Sequence, residues 1–410
     1  MVRKGSKKIL LIFGLIISTY IHVASARGVF NVMKFGAVGD GIRDDTQAFL
    51  KAWAATCGDP KGIPKMLVPR RRTFLVGPVD FVGPCKATNV TVEIGGTIVA
   101  PLSTRAWAKD VHTWLKFNNI HGLTVNGHGV IDARGKAWWE QSCHNFKHQN
   151  QPGCTQLQPA AINFWGTNAG TFRDMTVKNA AMFHVTLLGL DGFEVHNINI
   201  NSPEDTPNTD GIHTQNVKHV TIADSQFRSG DDCVSIGDKS SYVYVRNCHC
   251  GPGHGVSIGS LGSGGTEAQV EEIHVENIKF VGTMFGCRIK TYQGGKGYCR
   301  AVTFKHSNFT NVLNPLYIDQ HYFSNNPVET SAVRISDVTF DDLRGTTDIR
   351  TPSAISMKCS NVVACTGLKF NNIHLTPAKP GTKLVSTINN AHGAVLGRVE
   401  PPLVGLKAAI

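Results

Sequence analysis

Seven segments of one pattern follow each other through the second half of the chain. They are FEVHNINI (193–200), VTIADSQF (220–227), VYVRNCHC (243–250), IHVENIKF (273–280), VTFKHSNF (302–309), VRISDVTF (333–340) and LKFNNIHL (368–375). Apolar β-branched or aromatic residues alternate with polar ones, the period of a strand with one buried face. The segments start 27, 23, 30, 29, 31 and 35 residues apart. A drifting step of this size, built of short strands and turn residues, marks a solenoid. No sustained helical period exists in the chain, and a leucine-rich repeat would need a Leu/Asn frame that is absent. A β-sandwich is the fallback. The expected fold is all-β, a parallel β-helix, with many of the 42 glycines and 18 prolines at corners. Loops of unequal length account for the variable step.

A solenoid exposes strand edges and core at its ends and needs caps. VMKFGAVGDGIRDDTQAFLKAWAATC (32–57) reads as a strand, a turn and an amphipathic helix from Asp45 to Thr56. Ala48, Phe49, Ala52 and Trp53 form its apolar face, and the helix is assigned as the N-terminal cap. Asp40, Asp44 and Asp45 fit turn and N-cap positions better than a calcium loop. Further upstream, VRKGSKK, ILLIFGLII and ASA (24–26) have the three parts of a secretory signal peptide cleaved after Ala26. The apolar run is too short for an ordinary membrane span. The expected organisation is a leader over 1–26 and a single domain over 27–410, secreted and free of the membrane once the leader is gone.

The whole chain has a formal charge of +11, and without the leader 37 basic residues stand against 30 acidic ones, a balance of +7. That suits a polyanionic extracellular polymer. Nucleic acid is not expected, because no concentrated Arg/Lys run or binding motif is present. The eleven cysteines suggest disulfides in an exported chain. Short-range candidates are Cys57–Cys85, Cys143–Cys154, Cys233–Cys250 and Cys359–Cys365, leaving Cys248, Cys287 and Cys299. A zinc site at CHC (248–250) is disfavoured by spacing and compartment. Asn89 and Asn308 open N-glycosylation sequons.

Three acidic or histidine motifs stand about one coil apart: TPNTDGIH (206–213), SGDDCVSIG (229–237) and GPGHGVSIG (251–259). Asp210, Asp231 with Asp232, and His254 are separated by 21 or 22 residues each. On adjacent coils, ~4.8 Å apart, they would form one column. RIK (288–290) follows after the Gly-rich insertion GSLGSGGTEA, and Arg288 and Lys290 share one strand face. Stacked carboxylates repel, so a purely structural column would cost stability. Both members of the Asp231–Asp232 pair reach a cleft only if the strand bends or ends there, with Gly230 supplying freedom.

NTD, GDDC, GHG and RIK, in this order and spacing, resemble the four signature motifs of polygalacturonases, pectin-degrading glycoside hydrolases. The likeness runs from FNVMKFGAVGDG through LYIDQHY to the C-terminal cysteines and is greatest to plant secreted members. It implies a right-handed parallel β-helix that hydrolyses α-1,4-linked galacturonic acid in homogalacturonan, as a monomer, with no cofactor or metal. It implies Asp231 as general acid, Asp210 and Asp232 as base, and His254 as support for the acid. It also implies substrate contacts from Asn208, Arg288, Lys290 and Tyr322, and inversion at the anomeric carbon. Neighbouring coils alone would suggest the retaining spacing of ~5 Å rather than the inverting ~6.5–9.5 Å. His184 reads as structural. Phe323, NAAMFH and RIKTY depart from the common plant pattern, which bears on local disulfides and distal sugar positions. Likeness to pollen-type members tilts toward exo over endo action. The rivals are a calcium-dependent pectate lyase, a non-catalytic pectin-binding solenoid and a rhamnogalacturonan hydrolase; the intact acid–base set and full RIK disfavour them.

Overall fold

A computed structural model describes residues 28–107, 112–144, 154, 157–322 and 330–409. The leader expected over 1–26 and Phe323 lie outside the described residues. Among the described residues the strand pairs are parallel, from Val29–Asn31 against Lys65–Val68 to the C-terminal pairs. One sheet of eleven strands runs along the coil from Val79–Val82 to Val385–Asn389. A larger sheet holds the seven repeated segments. Parallel neighbours joined by corners give a right-handed β-helix.

The repeat was read to the residue for five segments: Phe193, Val220, Val243, Ile273 and Val302 pair in succession. The sixth was misplaced by five residues. Val302 pairs with Val338, not Val333, and Thr339 pairs with Lys369. The confusion has a physical source in two left-handed residues. Asp337 (φ 53°) stands opposite Ala301 (φ 53°) at one corner, whereas Asp342 (φ 49°) continues the column expected at Asp337.

That column is Asp174, Asn197, Asp224, Asn247, Asn277, His306, Asp342 and Asn372, all with φ between 49° and 56°. Short polar side chains tolerate this conformation and bond locally. Here they bond along the axis: Asn197 donates to Asp174 (2.7 Å), Asn247 to Asp224 (3.0 Å) and Asn277 to Asn247 (3.2 Å). Inside the coil, like residues stack on like. Phe304, Phe340 and Phe370 form a column with centroids 5.5 and 5.3 Å apart, nearly coplanar in tilt.

The helix spans Thr46–Gly58, one residue later at its start and two later at its end than expected, and Ala48, Phe49, Ala52 and Trp53 are buried. Trp53 meets Phe81 and Phe117 in the first coils, as a cap should. Asp45 precedes the helix without capping it; its carboxylate instead accepts the N–H groups of Val38 and Gly39. Asp40 accepts from Ile42 and Arg43 as a turn residue. All four expected disulfides are present, and Cys248, Cys287 and Cys299 are free and buried. No described helix is long and apolar enough to cross a membrane.

The polar column makes a stability prediction. Asn247→Val places a β-branched residue at positive φ and removes two axial hydrogen bonds, so it should destabilise by about 2–3 kcal/mol. Asn247→Gly, which relieves the φ penalty, should cost clearly less in the same urea titration. Equal losses would show that the backbone conformation is not what asparagine serves there.

Candidate active site

The site lies where four coils enter the eleven-stranded sheet. Ile212, Val234, Val256 and Cys287 are aligned neighbours in that sheet, buried on its inner face. Asp210, Asp232 and His254 each stand two residues before the aligned one, so the structure stacks them at one corner. Asp231 and Asp232 do not share a strand; the strand begins only at Val234. Gly230 is required for a different reason than conformational freedom. A β-carbon there would lie 1.9 Å from the Thr206 carbonyl oxygen, so the coil above could not approach. Cys233–Cys250 ties the residue directly after the pair to the segment leading into His254.

The two members of the pair have different surroundings. The Asp232 side chain is 1% exposed and that of Asp231 is 21% exposed. Asp232 Oδ1 accepts from Ser257 (2.7 Å) and Arg288 Nη2 (2.5 Å), and Oδ2 accepts from Lys290 Nζ (2.9 Å). Burial alone would raise its pKa; Arg288, then Lys290 and His254, overcome this and pull it down to about 2. Burial is the largest influence on Lys290 and opposes its charge, but Asp232, Tyr322 and Asp231 together hold it above its ordinary value. Asp231 Oδ1 faces His254 Nδ1 (2.9 Å) and accepts the Asp232 backbone N–H (2.8 Å). Its Oδ2 has no hydrogen-bond partner among the described residues.

Asp210 is buried and accepts from Ser235 Oγ at 2.5 Å through Oδ2. Burial, reinforced by the charges of Asp231 and Asp232, raises its pKa well above the usual carboxylate range. His184 is buried against the Asp210 backbone: Nδ1 donates to the Asp210 carbonyl (2.9 Å), and Nε2 accepts from Ser202 (2.7 Å). Burial drops its pKa to about 4, consistent with a neutral structural ring.

Three residues escaped the sequence reading. Ser235 and Ser257 are register neighbours, and each links a nitrogen base to a carboxylate. Ser257 accepts from Arg288 Nε (2.7 Å) while donating to Asp232. Ser235 meets His213 Nδ1 (2.8 Å) while donating to Asp210. His213, stacked on Phe183 at 4.6 Å, is pushed by burial to about 4 and stays neutral. The signal was the tetrapeptide VSIG, present at 234–237 and again at 256–259.

Arg288 and Lys290 do share a face, yet neither is a free cation. Arg288 also lies 4.0 Å from the Phe285 ring centroid, and Lys290 lies 5.2 Å from that of Tyr322. Tyr322 packs edge-on to Tyr292. Asn208 adopts φ 55° two residues before Asp210 and makes no side-chain hydrogen bond to a described residue. Donor atoms of Asp231, Asp232 and His254 lie within 4.8 Å of one another, close enough to hold a metal ion. Both Asp232 oxygens are already engaged by cations, however, so a divalent ion would have to displace Arg288 and Lys290. This donor set does not suit a calcium site.

A carboxylate cluster of unequal proton affinities on the outer face of a β-helix is the equipment of a glycoside hydrolase. Residues 57–396 match the family model described as glycosyl hydrolases family 28. The chain belongs to that family. It is 37% identical over 372 residues to a probable polygalacturonase of Arabidopsis thaliana, covering 90% of this chain and 78% of the relative. Its fold is similar to an endo-xylogalacturonan hydrolase from Aspergillus tubingensis (TM-score 0.77, 21% identity, 90% of this chain and 99% of the other). It also resembles an exopolygalacturonase from Thermotoga maritima (TM-score 0.69, 20% identity, 85% and 88%).

The raised Asp210 predicts a pH-dependent stability effect. A folded value above the unfolded ~3.9 means stability that is full below that pH and lost as pH rises through the folded value. Asp210→Asn removes the penalty. The variant should melt above the parent at pH 7, by on the order of 2 °C for each kcal/mol relieved. The gain should shrink toward zero at about pH 3.5, below the unfolded value. A variant that melts lower at neutral pH would contradict the burial argument.

Proposed function

We propose that this protein hydrolyses the α-1,4-galacturonosyl linkages of polygalacturonate, the acidic backbone of pectin, outside the cell. The observation that carries this reading is the pairing of a partly exposed carboxyl, Asp231, with a buried raised one, Asp210, beside two cations. The relatives named polygalacturonases support the substrate, and the net positive charge suits a polyanion. The expected leader, the four disulfides and exposed sequon asparagines at 89 and 308 support an exported, glycosylated single-domain monomer.

In this reading Asp231 Oδ2 donates its proton to the leaving glycosidic oxygen. His254 bonds the other oxygen and, when protonated, stabilises the carboxylate that remains. Asp210 and Asp232 hold the attacking water on the opposite side. Asp232, with its low proton affinity, stays ionised and orients the water; Asp210 is the stronger base and takes the water's proton. Because the three carboxyls are coupled, their protons belong to the cluster rather than to single residues. Arg288 and Lys290 have N–H groups beyond those given to Asp232 and Ser257, and these are offered to a uronate carboxylate. Asn208 and Tyr322 complete the sugar contacts. Donor atoms of Asp231 and Asp232 lie within 4.8 Å of each other, short of the ~6.5–9.5 Å of an inverting pair, which favours Asp210 as the partner of Asp231.

Asp231→Asn keeps the shape and removes the donated proton. Turnover of polygalacturonate should fall by at least about a hundredfold, the range of general acid catalysis, with binding and melting temperature largely kept. Near-parental turnover would remove Asp231 from the acid role. Stereochemistry provides a separate check: proton NMR during the first minutes of digestion should show the β-anomer of the new reducing end. An α-anomer formed first would require a covalent mechanism and a different assignment of Asp232.

A further inference from the structure

Two rows of outward side chains pass through the site and continue along the sheet. One runs Ser257, Arg288, Tyr317, Ser356; the other runs Lys290, Asp319, Lys358, Asn389, each step a register partner. Lys358 therefore stands two strands beyond Lys290, ~10 Å along the axis at ~4.8 Å per strand. The lysines of this outer face are not alike. Lys116 is paired with Asp80 (3.2 Å) and Lys290 with Asp232 (2.9 Å). Lys358, half-buried, has no carboxylate partner among the described residues.

Its position is nevertheless held. Lys358 Nζ donates to the Tyr317 hydroxyl at 3.0 Å and lies 5.1 Å from that ring's centroid. Tyr317 donates onward to Asp319 Oδ2 at 3.4 Å and packs on Phe285, which also carries Arg288. An ammonium has three N–H donors and this one gives one to a neutral oxygen, leaving two for an anion. A lysine fixed by an aromatic ring, linked to Asp319 only through the Tyr317 hydroxyl, on the same row as the site's cation is built to receive a negative group.

We propose that Lys358, positioned by Tyr317, is a second carboxylate-binding position of the cleft. It would take the uronate two units along the polymer from the one at Lys290. Asp319 lies between them in the row. It repels a carboxylate at that step and accepts a sugar hydroxyl instead. The order cation, acid, cation thus fits an acidic polysaccharide whose successive units turn their carboxylates alternately toward and away from the sheet. The inference rests on the polygalacturonate reading and adds a length requirement to it: substrates that reach Lys358 should bind more tightly than those that stop short.

The test compares kcat/KM of the parent, Lys358→Met, Lys358→Arg and Tyr317→Phe on unesterified oligogalacturonates from dimer to heptamer. Lys358→Met should match the parent on the shortest substrate cleaved. It should lose about tenfold, or ~1.4 kcal/mol, on those long enough to reach the site, through KM rather than kcat. Lys358→Arg should restore most of this, and Tyr317→Phe should show a smaller loss with the same length dependence. No loss at any length, or the same loss at every length, overturns the proposal. Tyr317→Phe preserves ring packing and keeps the test alive should Lys358→Met fail to fold. If the parent releases no reducing sugar from polygalacturonate, it is the functional reading that fails. Titrating heptamer into Asp231→Asn with and without Lys358→Met then decides the binding position by itself.

Discussion

Parallel in-register stacking is the constraint from which the rest of this molecule follows. Every coil advances one strand spacing, ~4.8 Å, so each side chain has an equivalent directly above and below. For apolar residues this is favourable: the Phe304, Phe340 and Phe370 column fills the interior with nearly parallel rings. For Asn and Asp at the left-handed corners it supplies axial hydrogen bonds. For carboxylates it is unfavourable, since stacking brings like charges together. The candidate-site corner stacks Asp210 on Asp232, and its surroundings are the means of tolerating that.

Those means differ between the two carboxylates. Asp232 keeps its charge because a guanidinium, an ammonium and a hydroxyl occupy its oxygens. Removing one cation would leave a buried charge underpaired, a loss of roughly 3–5 kcal/mol in buried pairs generally. Asp210 has one hydroxyl and a neutral imidazole behind it. It responds by raising its proton affinity.

Much of this was legible because a solenoid converts spacing in sequence into neighbourhood in space. The fold and the grouping of Asp210, Asp231, Asp232 and His254 follow from counting residues per coil, the capping helix from its apolar face and the four disulfides from short-range cysteine pairs. The count failed where two equivalent signals competed: Asp337 and Asp342 are both left-handed acidic residues, and only pairing shows which one continues the Asn column. It also failed for residues whose chemistry is ordinary. Ser235 and Ser257 resemble any outward strand serine until register sets them beside Asp210 and Asp232, and His213 is significant only through Ser235. The partners of Arg288 and Lys290 could not be read either, because a cation near a carboxylate column serves an internal ion pair or a ligand equally well.

The order of the motifs along the chain sets the order of electrostatics along the axis. Both cations arrive on the coil after His254, so they approach the cluster from its C-terminal side. Asp232, nearer to that side, takes both; Asp210, one coil further away, receives only weak compensation. The resulting difference in proton affinity does not require different residue types, only different distances from one pair of cations. Reversing the order of the coils with the same residues would exchange the two environments. A buried carboxyl of raised proton affinity and a neighbour of lowered proton affinity are thus produced by position in a one-dimensional stack. Asp231, displaced from that stack by one residue, is the carboxyl of the three left partly open to solvent.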